Sequence, residues 1–454
     1  MNLTLALFLL GVLVCAVLAI RRPSWGIALY MLTYFLAPPF WWWGKSVAEY
    51  RWNLLASLVL LGSVLINVVL RDSKFISHRA TKWLLLLATS TALNATAVHV
   101  LFAPNAQISS VGYVLTLKML LLLILMAVSI RDETDLKIIV LAIVLGAGYI
   151  GYEVTINDRG SVRGGRLEGV GTASASTAND LACLMVSSTM LVGPLFLFGT
   201  RYQKLVAIVV GPLVFNVILL CNSRGALLGL LVSGVAYVLA APRSMRVQVY
   251  KIAGLGAIVG FLLLGDPRIV ERFMTTFNTG EQRDHSATSR TQYWKAGLML
   301  LADQPLGSGG QAFKKVYGAR YIERVTGVSE GRSVHQGYID EACEWGLQGL
   351  LLRLLLFGTG LVLAWHASRR AMYTGQWYVG AVALSVLAGL IALMIQALFG
   401  TFLTSEWGVW MIALALGCHR LVEAELDDAA EYCADDESEA NDPEIFDGPL
   451  LSTV

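Results

Sequence analysis

Residues 266–346 read DPRIVERFMTTFNTGEQRDHSATSRTQYWKAGLMLLADQPLGSGGQAFKKVYGARYIERVTGVSEGRSVHQGYIDEACEWG, and almost everything on either side of them is apolar. The stretch holds 20 of the chain's 66 Asp, Glu, Lys and Arg residues, ten of each sign. The chain as a whole is 56% hydrophobic and only 15% charged, with a mean hydropathy of +0.63, whereas soluble domains carry roughly 25% charged residues. That composition excludes a soluble multidomain protein. It predicts an all-α polytopic membrane protein with one large polar loop, and a polar insert hung between membrane spans is where such a protein keeps its chemistry.

Working outward, apolar runs of roughly the 17–23 residues that cross a bilayer core as a helix begin at 3–20 and 25–43. They continue through 225–241 and 252–265, and resume after the insert at 347–365, 377–399 and 401–418. The expected count is 12–13 transmembrane helices. The organisation is residues 1–265 as N-terminal membrane helices, 266–346 as the large loop, 347–422 as C-terminal membrane helices and 423–454 as a tail. The first run lacks a basic leader and is followed by Arg21 and Arg22, a pattern that disfavours a cleaved signal peptide. Lys and Arg set the orientation. One alternate set of connections (21–24, 71–82, 131–137, 200–204, 243–251 and 366–370, with Arg420) carries sixteen, and the other (44–52, 104–110, 154–172, 222–224 and 400–406) carries six. The rich set belongs in the cytoplasm, which puts the insert on the outer side of the membrane. The tail holds 12 of the 32 acids and no base between 423 and 447, so it reads as disordered and cytoplasmic. Trp41, Trp42 and Trp43 read as an interfacial aromatic belt. The six cysteines lack paired spacing and read as buried thiols rather than a disulfide framework or zinc site.

Several residues carry chemistry against that background. Arg224, in CNSRGALLGLL, sits at a tight turn between two apolar runs; it either snorkels to headgroup phosphates or is a fixed functional cation, and its outer placement favours the second. Arg159, Arg163 and Arg166 stand among glycines in RGSVRGGRLEG. They suit a polyanion because guanidinium groups grip phosphate oxygens in a bidentate fork, although a solvated loop is the plain alternative. Asn179 and Asp180 enter an apolar helix, where they need partners or serve as its cap. Lys118 and Arg353 read as snorkelling outward. Arg290 and Tyr293 lie in SRTQYW. His335 is the candidate base, and if HQGYIDEACEWG is helical, Tyr338, Ile339 and Ala342 share its face. A lone histidine is nevertheless more often structural than catalytic. Asp340 and Glu344 leave a metal open, yet no DxD or HExxH pattern appears, and the expectation is no metal and no cofactor. Nucleotide motifs are missing, and nothing points to nucleic acid.

Taken in order, the STANDLA stretch with Asn179, SRGALLG around Arg224, SRTQYW with Arg290, the QPLGSGG turn and HQGYIDEACEWGLQGL with His335 resemble the O-antigen ligase/polymerase family of membrane glycosyltransferases. RRPSWGIALYMLTYFLAPP and RDETDLKIIV look like its exosortase-associated branch. The resemblance implies a GT-C-like fold and a metal-independent, inverting glycosyltransferase. It implies a donor glycan on undecaprenyl diphosphate and an acceptor hydroxyl on lipid A core, a polysaccharide or a protein. Position by position, Arg224 and Arg290 match the diphosphate-binding arginines and His335 the catalytic histidine. A polymerase of the same family is the nearest alternative. A transporter or flippase of lipid-linked sugars is the alternative of another class, disfavoured because the charges gather at one face and no internal repeat appears.

Overall fold

The protein is described by a computed structural model over residues 3–70, 74–163, 165–263 and 285–440. Helices stand at every predicted apolar run. Before the insert they are α1 (Leu3–Ala19), α2 (Pro23–Phe35), α3 (Trp52–Val69), α4 (Arg79–Leu101), α5 (Ala106–Ser129), α6 (Glu133–Thr155), α7 (Ala178–Phe198), α8 (Arg201–Cys221), α9 (Arg224–Ala240) and α10 (Arg246–Leu263). The insert contributes α11 (His285–Asp303) and α12 (Gly318–Thr326), and the chain closes with α13 (Gly337–Arg370), α14 (Trp377–Gln396) and α15 (Glu406–Ala440). This is an all-α polytopic membrane protein. Among the described residues, eight helices are long and apolar enough to cross a membrane, or nine if α9 and α10, bent by 113° at their break, form one span.

The shortfall from 12–13 has local causes. Pro38 and Pro39 end the second apolar run early, since proline offers no N–H; α2 therefore has 13 residues and a short 3-10 turn follows it. Pro242 stands at the corner between α9 and α10, where the sequence also separates two apolar runs. Trp41 and Trp43 do not join an interfacial belt. They are buried, with the Trp43 indole donating to the Tyr149 hydroxyl at 2.7 Å, and only Trp42 is exposed.

Helix α14 lies at the centre, with 83% of its membrane window buried. Its small residues, among them Gly380, Ala381, Ala383, Ala388 and Gly389, let α9, α13 and α15 pack close against it. At one end of the bundle, Arg22 pairs with Asp132 at 2.7 Å and Asp135 at 3.2 Å, tying the start of α2 to the start of α6. At that same end Glu423 is held by His78, Arg370 and His419. The acidic segment therefore continues α15 as helix to Ala440 rather than being disordered from 423, because the buried first half of α15 supplies the nucleus that an isolated acidic segment lacks. Residues 441–454 lie outside the described residues.

The described part of the insert is a folded unit with its own core of Ala296, Leu300, Phe313, Tyr321, Ile322, Val334 and Cys343. It joins the membrane helices at Gly346, where α13 breaks with φ 79°, a conformation glycine adopts without a Cβ clash. The QPLGSGG turn caps that break. Gly309 N donates to the Glu344 carbonyl at 2.9 Å, Gln311 N to the Glu344 carboxylate at 2.7 Å, and Leu347 N to the Pro305 carbonyl at 3.0 Å. Across the break, Arg353 reaches Glu341 at 2.9 Å and both side chains are buried. Arg353 is thus an internal ion-pair partner, not a snorkelling cation. Lys118 remains exposed on α5.

Candidate active site

His335 lies just before α13, not on it. Its φ of 55° turns the chain, Gln336 caps the helix by accepting from Ile339 N at 2.6 Å, and Gly337 N donates to the Ala397 carbonyl at 2.7 Å. A Cβ on Gly337 would meet the Gly400 carbonyl at 2.9 Å. The histidine segment is therefore seated on the turn between α14 and α15. The expected helical face shared with Tyr338, Ile339 and Ala342 does not exist, because the N-cap falls one residue after the histidine. Tyr338 instead donates its hydroxyl to the Met394 carbonyl at 2.8 Å, locking the start of α13 to α14.

Arg290 and Tyr293 approach from α11. The Tyr293 ring lies 6.3 Å from the imidazole, centroid to centroid, and its hydroxyl donates to Glu330 at 3.3 Å. Glu330 also pairs with Arg332 at 3.4 Å. Gly297, one turn beyond Tyr293, is the close-approach point: a Cβ there would lie 2.7 Å from Ile339, and Cys343 donates its thiol to the Gly297 carbonyl at 3.3 Å. Packing around the His335 ring, followed by the charges of Arg290, Arg332 and Lys314, pushes the imidazole below its ordinary value, with Asp180 opposing. Protonation of the exposed His335 imidazole is thereby disfavoured, and the ring is able to accept a proton.

Arg224 opens α9 behind Asn222, which takes φ 45° and donates its amide to the Gly165 carbonyl at 3.2 Å. Ser223 is the N-cap. A Cβ on Gly225 would sit 3.0 Å from Phe399. Arg224 and His335, far apart in sequence, thus dock on the same short turn, residues 397–400, one through Gly225 and the other through Gly337.

The arginine-rich loop is a hairpin, β1 (Ser161–Arg163) against β2 (Arg166–Glu168), with Arg163 opposite Arg166. Arg163 is exposed. Arg166 donates to Asn179 at 2.6 Å. Arg159 donates to the carbonyls of Phe40 at 2.7 Å and Val170 at 3.1 Å and lies over the Trp41 ring, so its hydrogen bonds secure the loop base. Thr177 and Asp180 form a capping box at the start of α7. Asn179 is turned toward the hairpin, and the Asp180 charge acts on the His335 imidazole. Sequence reasoning did not single out Arg332 and Lys314, which stand 3 and 21 residues before the histidine among the other charges of the insert.

The structure therefore brings Tyr293 to His335, whose imidazole feels the charges of Arg290 and Asp180, and seats the Arg224 turn on the platform that carries His335, with Arg166 and Asn179 joined beside the start of α7. No curated protein matches the chain. The Wzy_C family model, described as O-Antigen ligase, matches residues 206–354, the interval that includes Arg224, Arg290 and His335, and over that interval the chain is similar to the O-antigen ligase family.

Proposed function

We propose that the protein is a membrane glycosyltransferase of polysaccharide assembly that moves a glycan from undecaprenyl diphosphate to an acceptor hydroxyl, with its site on the periplasmic face of the inner membrane. The observation that carries the reading is the single turn at 397–400 that seats both the Arg224 and the His335 segments, within the interval that matches the O-antigen ligase family model. Breaking a glycosyl diphosphate releases negative charge onto the leaving phosphate, and fixed guanidinium groups that meet it lower the barrier. Arg224 and Arg290 take that role. The acceptor hydroxyl is a poor nucleophile, and His335 takes its proton as the new glycosidic bond forms, a contribution of roughly 10²–10⁴ in rate. Attack on the face opposite the diphosphate inverts the anomeric carbon. The Lys and Arg distribution over the short loops supports the periplasmic placement.

The test is transfer of labelled lipid-linked glycan to acceptor by purified protein in detergent, with and without a chelator. Covalently labelled acceptor at an unchanged rate under chelator is the expected result. Label that only changes sides in vesicles would establish a transporter, and loss of activity on chelation would establish a metal.

A further inference from the structure

Glu406 is the first residue of α15, almost fully buried, and no role in transfer needs it. Its two carboxylate oxygens are both engaged: one accepts from the Tyr30 hydroxyl at 2.7 Å and the other from the Ser174 hydroxyl at 3.2 Å. These partners come from separate parts of the chain, α2 and the loop before α7. The location suits an anion, since the N-terminus of a helix presents unpaired N–H groups and a positive dipole end. Ser174 holds φ 48°, a left-handed conformation that costs a serine energy. That strain is maintained by what its hydroxyl reaches. Three residues later Thr177 caps α7, and the next turn carries Asn179, bound to Arg166, and Asp180, whose charge acts on His335.

We propose that Glu406 is a positioning residue: its carboxylate, clasped by Tyr30 and Ser174, fixes the 169–177 loop and so sets Asn179 and Asp180 against Arg166 and His335. The inference rests on the site reading above, but its first readout does not depend on transfer. A cysteine placed at buried Ala175 reports the loop and one at buried Ala241, at the end of α9, reports the fold as a whole, with Cys15 and Cys433 changed to serine. In Glu406→Gln and in Ser174→Ala, which remove the charge and the hydroxyl respectively, alkylation at position 175 should rise roughly tenfold, as expected for loss of one charge-assisted hydrogen bond, while position 241 labels as before. The second readout is kcat against pH. The charges acting on His335 are those of Arg290, Arg332 and Lys314, which disfavour its protonation, and that of Asp180, which favours it. Withdrawing Asp180 leaves the cations unopposed, so the acid limb should move to lower pH. Unchanged labelling at 175, or equal increases at 175 and 241, would overturn the positioning role. Increased labelling at 175 with no catalysis by any form would leave the loop anchor standing and remove the glycosyltransferase reading.

Discussion

Lysine in place of Arg224 or Arg290 keeps the charge and removes the bidentate fork, so either change should lower transfer roughly ten- to a hundredfold; near-normal rates would mean neither arginine grips a phosphate. His335→Ala should lower kcat with little change in donor KM, the signature of a group used only in the transition state. In the wild type the imidazole titrates below its ordinary value, so the proton-accepting form persists as pH falls through about 6.5 and activity is lost only beneath it. Arg332→Gln removes one of the repelling cations, raises the histidine's affinity for protons and should shift the acid limb of kcat toward higher pH. Because the unfolded histidine binds a proton more readily than the folded one, acidification through this range also destabilises the fold. Arg224, Arg290 and His335 could be singled out from sequence because each stands in a short motif carried by the family resemblance. Lys314, Arg332 and Asp180 were not, because a loop cation or a capping acid looks the same in sequence whether it faces water or a catalytic ring.

Among the elements, α13 was half legible. The boundary between insert and span at 346 and 347 coincides with the break at Gly346, yet the partner of Arg353 was hidden. In an unbroken helix, twelve residues separate Glu341 and Arg353 by ~18 Å; the break brings them to 2.9 Å, and no periodicity announces it. Arg353→Met should therefore cost about 3–5 kcal/mol by stranding a buried carboxylate, while the double change with Glu341→Leu should come close to wild type. Thermal unfolding in detergent measures both. A double variant as unstable as the single one would show that the pair does more than neutralise itself.

For the whole molecule, apolar runs predicted the helices but not how far each extends, since prolines and the corner between α9 and α10 are tertiary decisions. Counting spans to find the side of the insert is accordingly fragile, whereas contacts gather the end of α8, the starts of α9, α13 and α15 and the α6–α7 loop at one end. Exposed Val328 in the insert and exposed Tyr373 between α13 and α14, each replaced by cysteine, should label from opposite faces with a membrane-impermeant maleimide; labelling from one face would refute the orientation. The turn at 397–400, on which Gly225 and Gly337 both rest, has a further consequence. The spacing between the Arg224 turn and His335 is set by protein seated on protein, so it does not follow the depth at which any helix floats in the lipid. Mismatch between helix length and acyl chains is ordinarily absorbed by tilt, and here a tilt carries both residues together. Reconstitution across lipids of increasing acyl length should change donor KM, as entry of the lipid tail varies, and leave kcat flat.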